Sequence, residues 1–96
     1  MEKYYFVYVL KSLKDNKHYA GYTQNLDLRF EQHQKGEVES TKHRRPLQLI
    51  YFEACLNRED ALKREKYFKT HYGNMYLQNR LVNWKKESSS NLISQG

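Results

Sequence analysis

Residues 4–11 read YYFVYVLK, and with aromatic or β-branched side chains at nearly every position the run has no polar face to give to water. A strand of that composition needs cover on both faces, so it predicts the central strand of a sheet with packing on either side. The chain then turns at Lys14-Asp15-Asn16-Lys17 and resumes as HYAGYT, His18 to Thr23. The short connection predicts an antiparallel hairpin. Gly21, inside the second strand, marks a bulge or a close approach by another group.

A chain of 96 residues has room for one domain. Asn25 is placed as the N-cap of a helix from about Leu26 to Lys35, with Gly36 at C′. Gly36 to Pro46 reads as a polar, basic loop, and LQLIYFEA, Leu47 to Ala54, as a third strand. Asn57 caps a second helix, with Glu59 and Asp60 suiting its first turn, and Gly73 is expected to end it. A third helix, about Met75 to Lys85, carries Leu77, Leu81 and Trp84 on one face. From Glu87 the sequence ESSSNLISQG reads as a disordered tail, leaving one domain over residues 1–86. The expected class is α/β, of the α+β kind: a three-stranded antiparallel sheet flanked by helices in the order β-β-α-β-α-α.

Charge narrows the partners. Lys and Arg number 17 against 11 Asp and Glu, a balance of +6 that favours a polyanion such as nucleic acid. No run approaches the roughly 18–20 apolar residues of a membrane span, and Met1 is followed by a charged pair in place of a signal-peptide pattern. The expectation is a cytoplasmic protein with no membrane partner. The single Cys55 makes no internal disulfide, and the spacing of His18, His33, His43 and His71 is not that of a zinc site.

Three polar residues sit where a helix should be apolar. At about 100° per residue, Arg29 and His33 fall beside Leu26 and Phe30 on the inner stripe of the first helix. Arg29 snorkelling and a satisfied core histidine would account for them, as would a functional site. In the second helix Glu65 falls among Ala61, Phe68 and Tyr72. A carboxylate removed from water must pair with a cation, bind a metal or take up a proton. Arg29 is one partner; a hard divalent ion, completed by water and substrate phosphate, is the other. Tyr8 and Tyr19, on the two strands of the hairpin, become neighbours on one face in the right register.

FVY at Phe6 to Tyr8, YAG at Tyr19 to Gly21, Arg29 ten residues after Tyr19, RFEQHQKG, TKHRRPLQLIYFE and REDALKREKYFK follow one another in order. From Tyr4 to Tyr72 this set resembles the GIY-YIG nuclease domain, and within that superfamily the small standalone bacterial proteins. The resemblance implies that Tyr8 and Tyr19 are the motif tyrosines, Arg29 the catalytic arginine, Glu65 the metal-binding glutamate and His33 a histidine of proton transfer. Tyr51 is a further aromatic at the site edge. Phe6 stands in place of the first motif glycine, Ala20 in place of the isoleucine, and Tyr22 where some DNA-repair members carry a lysine, whose role is either absent here or taken by Lys42 or Arg44.

Such a protein would hydrolyse phosphodiester bonds, in DNA more than RNA and in repair or processing, with one Mg²⁺ or Mn²⁺ at Glu65. Arg29 would take the charge that builds on phosphorus, Tyr19 or His33 the proton of the attacking water, and Tyr8 would hold that water or the phosphate. Lys35, Lys42, Arg44 and Arg45, with Tyr51, would contact the nucleic acid, and Lys63, Lys66 and Lys69 are further cations on the second helix. The alternatives are a nucleic-acid-binding module that keeps the fold without turnover, and an adaptor whose basic face meets an acidic protein.

Overall fold

The structure, a computed structural model, describes residues 3–95, with side chains described through residue 88. β1 (Tyr5–Ser12) and β2 (His18–Thr23) form the expected hairpin, with Asn16 at φ 62° in its turn. After α1 (Leu26–Gln34) and a 3₁₀ turn at Lys42–Arg44 comes β3 (Leu47–Cys55), then α2 (Arg58–Phe68), α3 (His71–Arg80) and α4 (Val82–Gln95). The sheet is antiparallel in the order β2-β1-β3, which makes β1 the central strand.

Both faces of β1 are covered, as its composition requires. Val7 and Val9 join Ala20, Ala61, Phe68 and Leu77 on the face packed by α2 and α3. Tyr8 and Leu10 join Leu47 on the other face, with Leu26 and Phe30 of α1 packed against them. Pairing between β1 and β3 shifts register between Val9 and Leu10: Tyr51 lies opposite Val9, but Leu49 lies opposite Leu10, so Ile50 is an extra residue. One inserted residue reverses which side chains of a strand point to which face.

Helix ends follow from side chains that accept orphan backbone N–H groups. Asn25 caps α1 through Leu28 N–H, and Asn57 caps α2 through Asp60 N–H. α1 stops at Lys35, and Gly36 follows at φ 77°, where a side chain would be strained. The end of α2 differs from expectation. It stops at Phe68, and the Thr70 hydroxyl accepts Gly73 N–H to begin α3, so Gly73 lies inside a helix and ends none. A Cβ at 73 would run into the Tyr67 carbonyl oxygen, so glycine is there to let α3 press onto the end of α2. Tyr72, expected on the buried face, is 73% exposed because it belongs to α3.

A fourth helix starts after Leu81, separating Leu81 and Trp84 from the helix that buries Leu77. Its backbone continues to Gln95, over the segment read as a tail; residues 1, 2 and 96 and the side chains from 89 on lie outside the described residues. α2 is fastened to β3 by Arg64, whose guanidinium meets Glu53 at 2.6 Å and lies 4.6–5.0 Å from the rings of Tyr67, Phe68 and Tyr76. Among the described residues no helix is long and apolar enough to cross a membrane.

Candidate active site

Tyr8 is opposite Gly21 across the hairpin, and its ring folds over that glycine so closely that a Cβ at 21 would collide with the phenol oxygen. The close approach expected at Gly21 is therefore made by Tyr8, and the β1–β2 register runs through it without a bulge. The phenol is only 2% exposed, and its Oη lies 2.9 Å from His33 Nε2. The other ring nitrogen, Nδ1, lies 2.7 Å from Thr41 Oγ1, so Tyr8, His33 and Thr41 form one buried chain joining β1, α1 and the following loop. With Tyr8 donating to Nε2, Nδ1–H donates to Thr41; the reverse tautomer closes the chain equally.

His33 is fully buried, and burial first, then the nearby Arg29 guanidinium, push its pKa down to about 4. At pH 7 roughly one such imidazole in a thousand carries a proton, so the ring is a neutral group with one acceptor lone pair. Tyr19 pairs with Leu10 and therefore shares the face of Tyr8, as expected. Both tyrosine rings meet His33 edge-on, at 5.6 Å for Tyr8 and 5.4 Å for Tyr19.

Arg29 comes from the same helix one turn before His33, and its Nη1 donates to Gln32 Oε1 at 3.1 Å. Burial raises the pKa of Tyr8, a hydrogen bond from Arg29 lowers it, and Tyr19 and Glu65 raise it further; the net direction is up. Tyr8 therefore feels the charges of Arg29, Tyr19 and Glu65. A groove of about 400 Å³ opens beside Arg29, with Tyr5, Tyr22 and Arg58 among its walls. Arg58 Nη2 donates to Tyr22 Oη at 3.2 Å, so a guanidinium from α2 brings positive charge to the place where a lysine at position 22 would have stood. Lys42 and Arg44, expected to supply that charge, lie in the loop before β3.

Glu65 is mostly withdrawn from water, its side chain 17% exposed. Its ion pair among the described residues is with Lys69 at 4.0 Å; the pairing with Arg29 is not formed. Among the described residues no cluster of three or more His, Cys, Asp or Glu could hold a metal ion. A partly buried carboxylate with so distant a counter-ion fits a divalent cation whose other positions are filled by water and phosphate.

The residues expected to touch nucleic acid are scattered. Lys35 pairs with Glu31 at 2.7 Å and Lys42 with Glu39 at 3.0 Å. Arg44 faces Asp15 at 3.7 Å, and Arg45 donates to the carbonyls of Lys42 and Gln34. Tyr51 lies on the opposite side of the sheet from Tyr8: the extra residue in β3 turns it toward α2, where it packs edge-on against Phe68 and donates to Glu53. Phe52 takes its place as the exposed aromatic opposite Tyr8, 50% exposed and 6.1 Å from Phe6. Thr41 and Gln32, which hold His33 and Arg29, carry no mark in the sequence. Arg58 does carry one, since a cation in the first turn of a helix opposes the dipole.

Two phenols and an imidazole therefore meet on one face of the sheet of this small α+β domain, with the Arg29 guanidinium beside His33. A family model described as the GIY-YIG catalytic domain matches residues 4–80, and the chain belongs to that family of nuclease domains. Its relatives there are UPF0213 proteins. One from Pediococcus pentosaceus is 50% identical over 66 residues, covering 68% of each chain. Another, from Staphylococcus haemolyticus, is 42% identical over 71 residues, covering 73% of this chain and 84% of its own. The solution NMR structure of a UPF0213 protein from Bacillus halodurans is similar with a TM-score of 0.50 at 29% identity, over 79% of this chain and 83% of that one.

Proposed function

We propose that the protein is a divalent-metal-dependent endonuclease of the cytoplasm that hydrolyses phosphodiester bonds in nucleic acid, in the first place DNA, during repair or processing. The observation that carries this reading is the buried Tyr8–His33–Thr41 chain with the Arg29 guanidinium one helical turn before His33. A structural core histidine needs no arginine beside it.

Arg29 forks two donors onto the non-bridging oxygens and meets the charge that grows on them as water attacks. Arg58, in the same groove, steadies the adjoining phosphate. Glu65 would hold Mg²⁺ or Mn²⁺, which when bound supplies a Lewis acid to the phosphoryl oxygen and the departing alkoxide. A phenol with a raised pKa is almost entirely protonated at pH 7, so Tyr8 is a poor base by itself. Tyr8 Oη, hydrogen-bonded to His33 Nε2, holds the attacking water, with Tyr19 the base on the same face. His33 thus acts behind Tyr8. Phe52 offers a ring to a base next to the scissile bond.

A second reading, a binding module without turnover, draws on the near-complete burial of both Tyr8 and His33, which a structural link between β1 and α1 also explains. The two are separated by cleavage of labelled single-stranded, duplex, flap and branched DNA and RNA in Mg²⁺, Mn²⁺ or EDTA. Metal-dependent cutting that disappears in both Glu65→Ala and Arg29→Ala is the expected result. Binding without cutting in any metal, or variants that cut like the wild type, would leave the binding module as the correct reading.

A further inference from the structure

On the sheet face opposite Tyr8 and His33, between the β1–β2 turn and helices α2, α3 and α4, lies a cavity of about 500 Å³. That is within the range of small-molecule sites, about 300–1,000 Å³. Its cationic wall is Lys17, His18, Lys69 and Lys85, and no Asp or Glu lines it. Lys17 and Lys85 have no carboxylate within 4.0 Å among the described residues, and Lys69 has only the distant Glu65. The pKa of His18 is lowered by burial first and then by Lys85, Lys11 and Arg44, of which Lys85 lines the cavity. Chains do not normally gather ammonium groups around a concavity without an anion to bind, because their mutual repulsion is otherwise uncompensated.

The rest of the lining says what the anion is attached to. Buried Val9, Ala20 and Phe68 form an apolar floor. Asn16, Asn74 and Gln78 also line it, residues whose amides donate and accept, the combination that pairs with the edge of a nucleobase; Asn74 Nδ2 spends one donor on the Thr70 carbonyl. A bare inorganic anion has no use for the floor or the amides, and it is too small for the space.

We propose that this cavity binds a nucleoside monophosphate, the phosphate among Lys17, Lys69 and Lys85 and the base over the Phe68 floor against Asn74 and Gln78. The inference does not rest on the nuclease reading: the site occupies the other face of the sheet and needs no metal. The same phosphomonoester could come from a free mononucleotide or from the terminal nucleotide of a strand.

The test is an NMR titration of the full chain in EDTA, where cleavage is silent, with AMP, adenosine and inorganic phosphate. Saturable AMP shifts at the amides of Lys17, His18, Lys69, Asn74 and Gln78 are expected, with adenosine and phosphate each weaker by about tenfold or more. The double variant Lys17→Ala/Lys85→Ala should weaken AMP by at least about tenfold, and Gln78→Glu, which puts a carboxylate at an exposed cavity position, should do the same, whereas Arg29→Ala, away from the cavity, should not. An oligonucleotide with a 5′-phosphate that outcompetes AMP better than its 5′-hydroxyl twin identifies a strand end as the source; equal competition identifies the free nucleotide. Three results would overturn the proposal: no shift up to about 10 mM AMP, phosphate binding as well as AMP, or shifts confined to Arg29 and Arg58. None of them bears on cleavage, and loss of cleavage in Arg29→Ala leaves the cavity untouched.

Discussion

His33 is a fully buried imidazole held neutral by burial and by Arg29, and that has a consequence for stability. Its folded pKa, about 4, lies below the unfolded value of 6.5, so between those values the unfolded chain binds a proton that the folded chain refuses. The contribution is intact above pH 6.5, shrinks as pH falls toward about 4, and amounts to up to about 3 kcal/mol. His18 titrates with the same sign, so the measurement is a difference: urea midpoints from pH 7.5 to 5 for wild type and His33→Gln. Wild type should lose more stability than the variant over that range, and parallel curves would show that His33 is not the group being protected. A second residue-scale prediction concerns Gly21. Alanine there keeps the strand but drives Tyr8 off its position over the glycine and away from Nε2. A displacement of about 1 Å in a reacting group costs about a hundredfold in rate. Gly21→Ala should therefore fold and lose cleavage to that extent, with no further loss when Tyr8→Phe is added; cleavage at the wild-type rate would remove Tyr8 from the chemistry.

At the scale of elements, the junction of α2 and α3 decides where Glu65 points, because α2 must end at Phe68 for α3 to turn back over it. Helix propensity alone makes Gly73→Ala stabilising by about 1 kcal/mol. The packing gives the opposite sign: the new methyl meets the Tyr67 carbonyl and the Phe68 backbone, which cannot rotate aside. A loss of at least about 2 kcal/mol in urea unfolding is expected, and a gain would mean that the two helices are not held together at this point. The same junction shows where the sequence stops being legible. The strands, the hairpin, α1 with Asn25 and Gly36, and the shared face of Tyr8 and Tyr19 all follow from local composition and period. The end of α2 depends on one threonine hydroxyl and a tertiary contact, and a glycine inside α3 looks from the sequence like a helix stop. Tyr51 is a further case: strict alternation from Leu49 would put it beside Tyr8, and the extra residue at Ile50 turns it to the other face. Thr41 is invisible because its partner His33 is reached through a loop whose path no local pattern sets.

Over the whole molecule the +6 charge is less available than it looks. Three of the cations expected to meet phosphate already face carboxylates: Lys35 with Glu31, Lys42 with Glu39 and Arg44 with Asp15. Exposed pairs of this kind hold weakly, so a phosphate can take the lysine over, but the displaced carboxylate stays within the roughly 8 Å over which charge is felt at physiological salt and repels the strand. On the proposed nuclease reading, acidic neighbours restrain nucleic-acid binding on the α1 side of the sheet, while among the described residues only Lys69 of the opposite cavity faces a carboxylate, Glu65 at 4.0 Å. Glu31→Gln, which leaves Lys35 in place and removes only its partner, should raise affinity for a non-cleavable strand about two- to fivefold at low salt and steepen the salt dependence by about one charge. Lys35→Ala should lower affinity and flatten the same slope. If neither variant moves the affinity or the slope, Lys35 lies outside the interface, and the strand runs along Arg29 and Arg58 without crossing the end of α1.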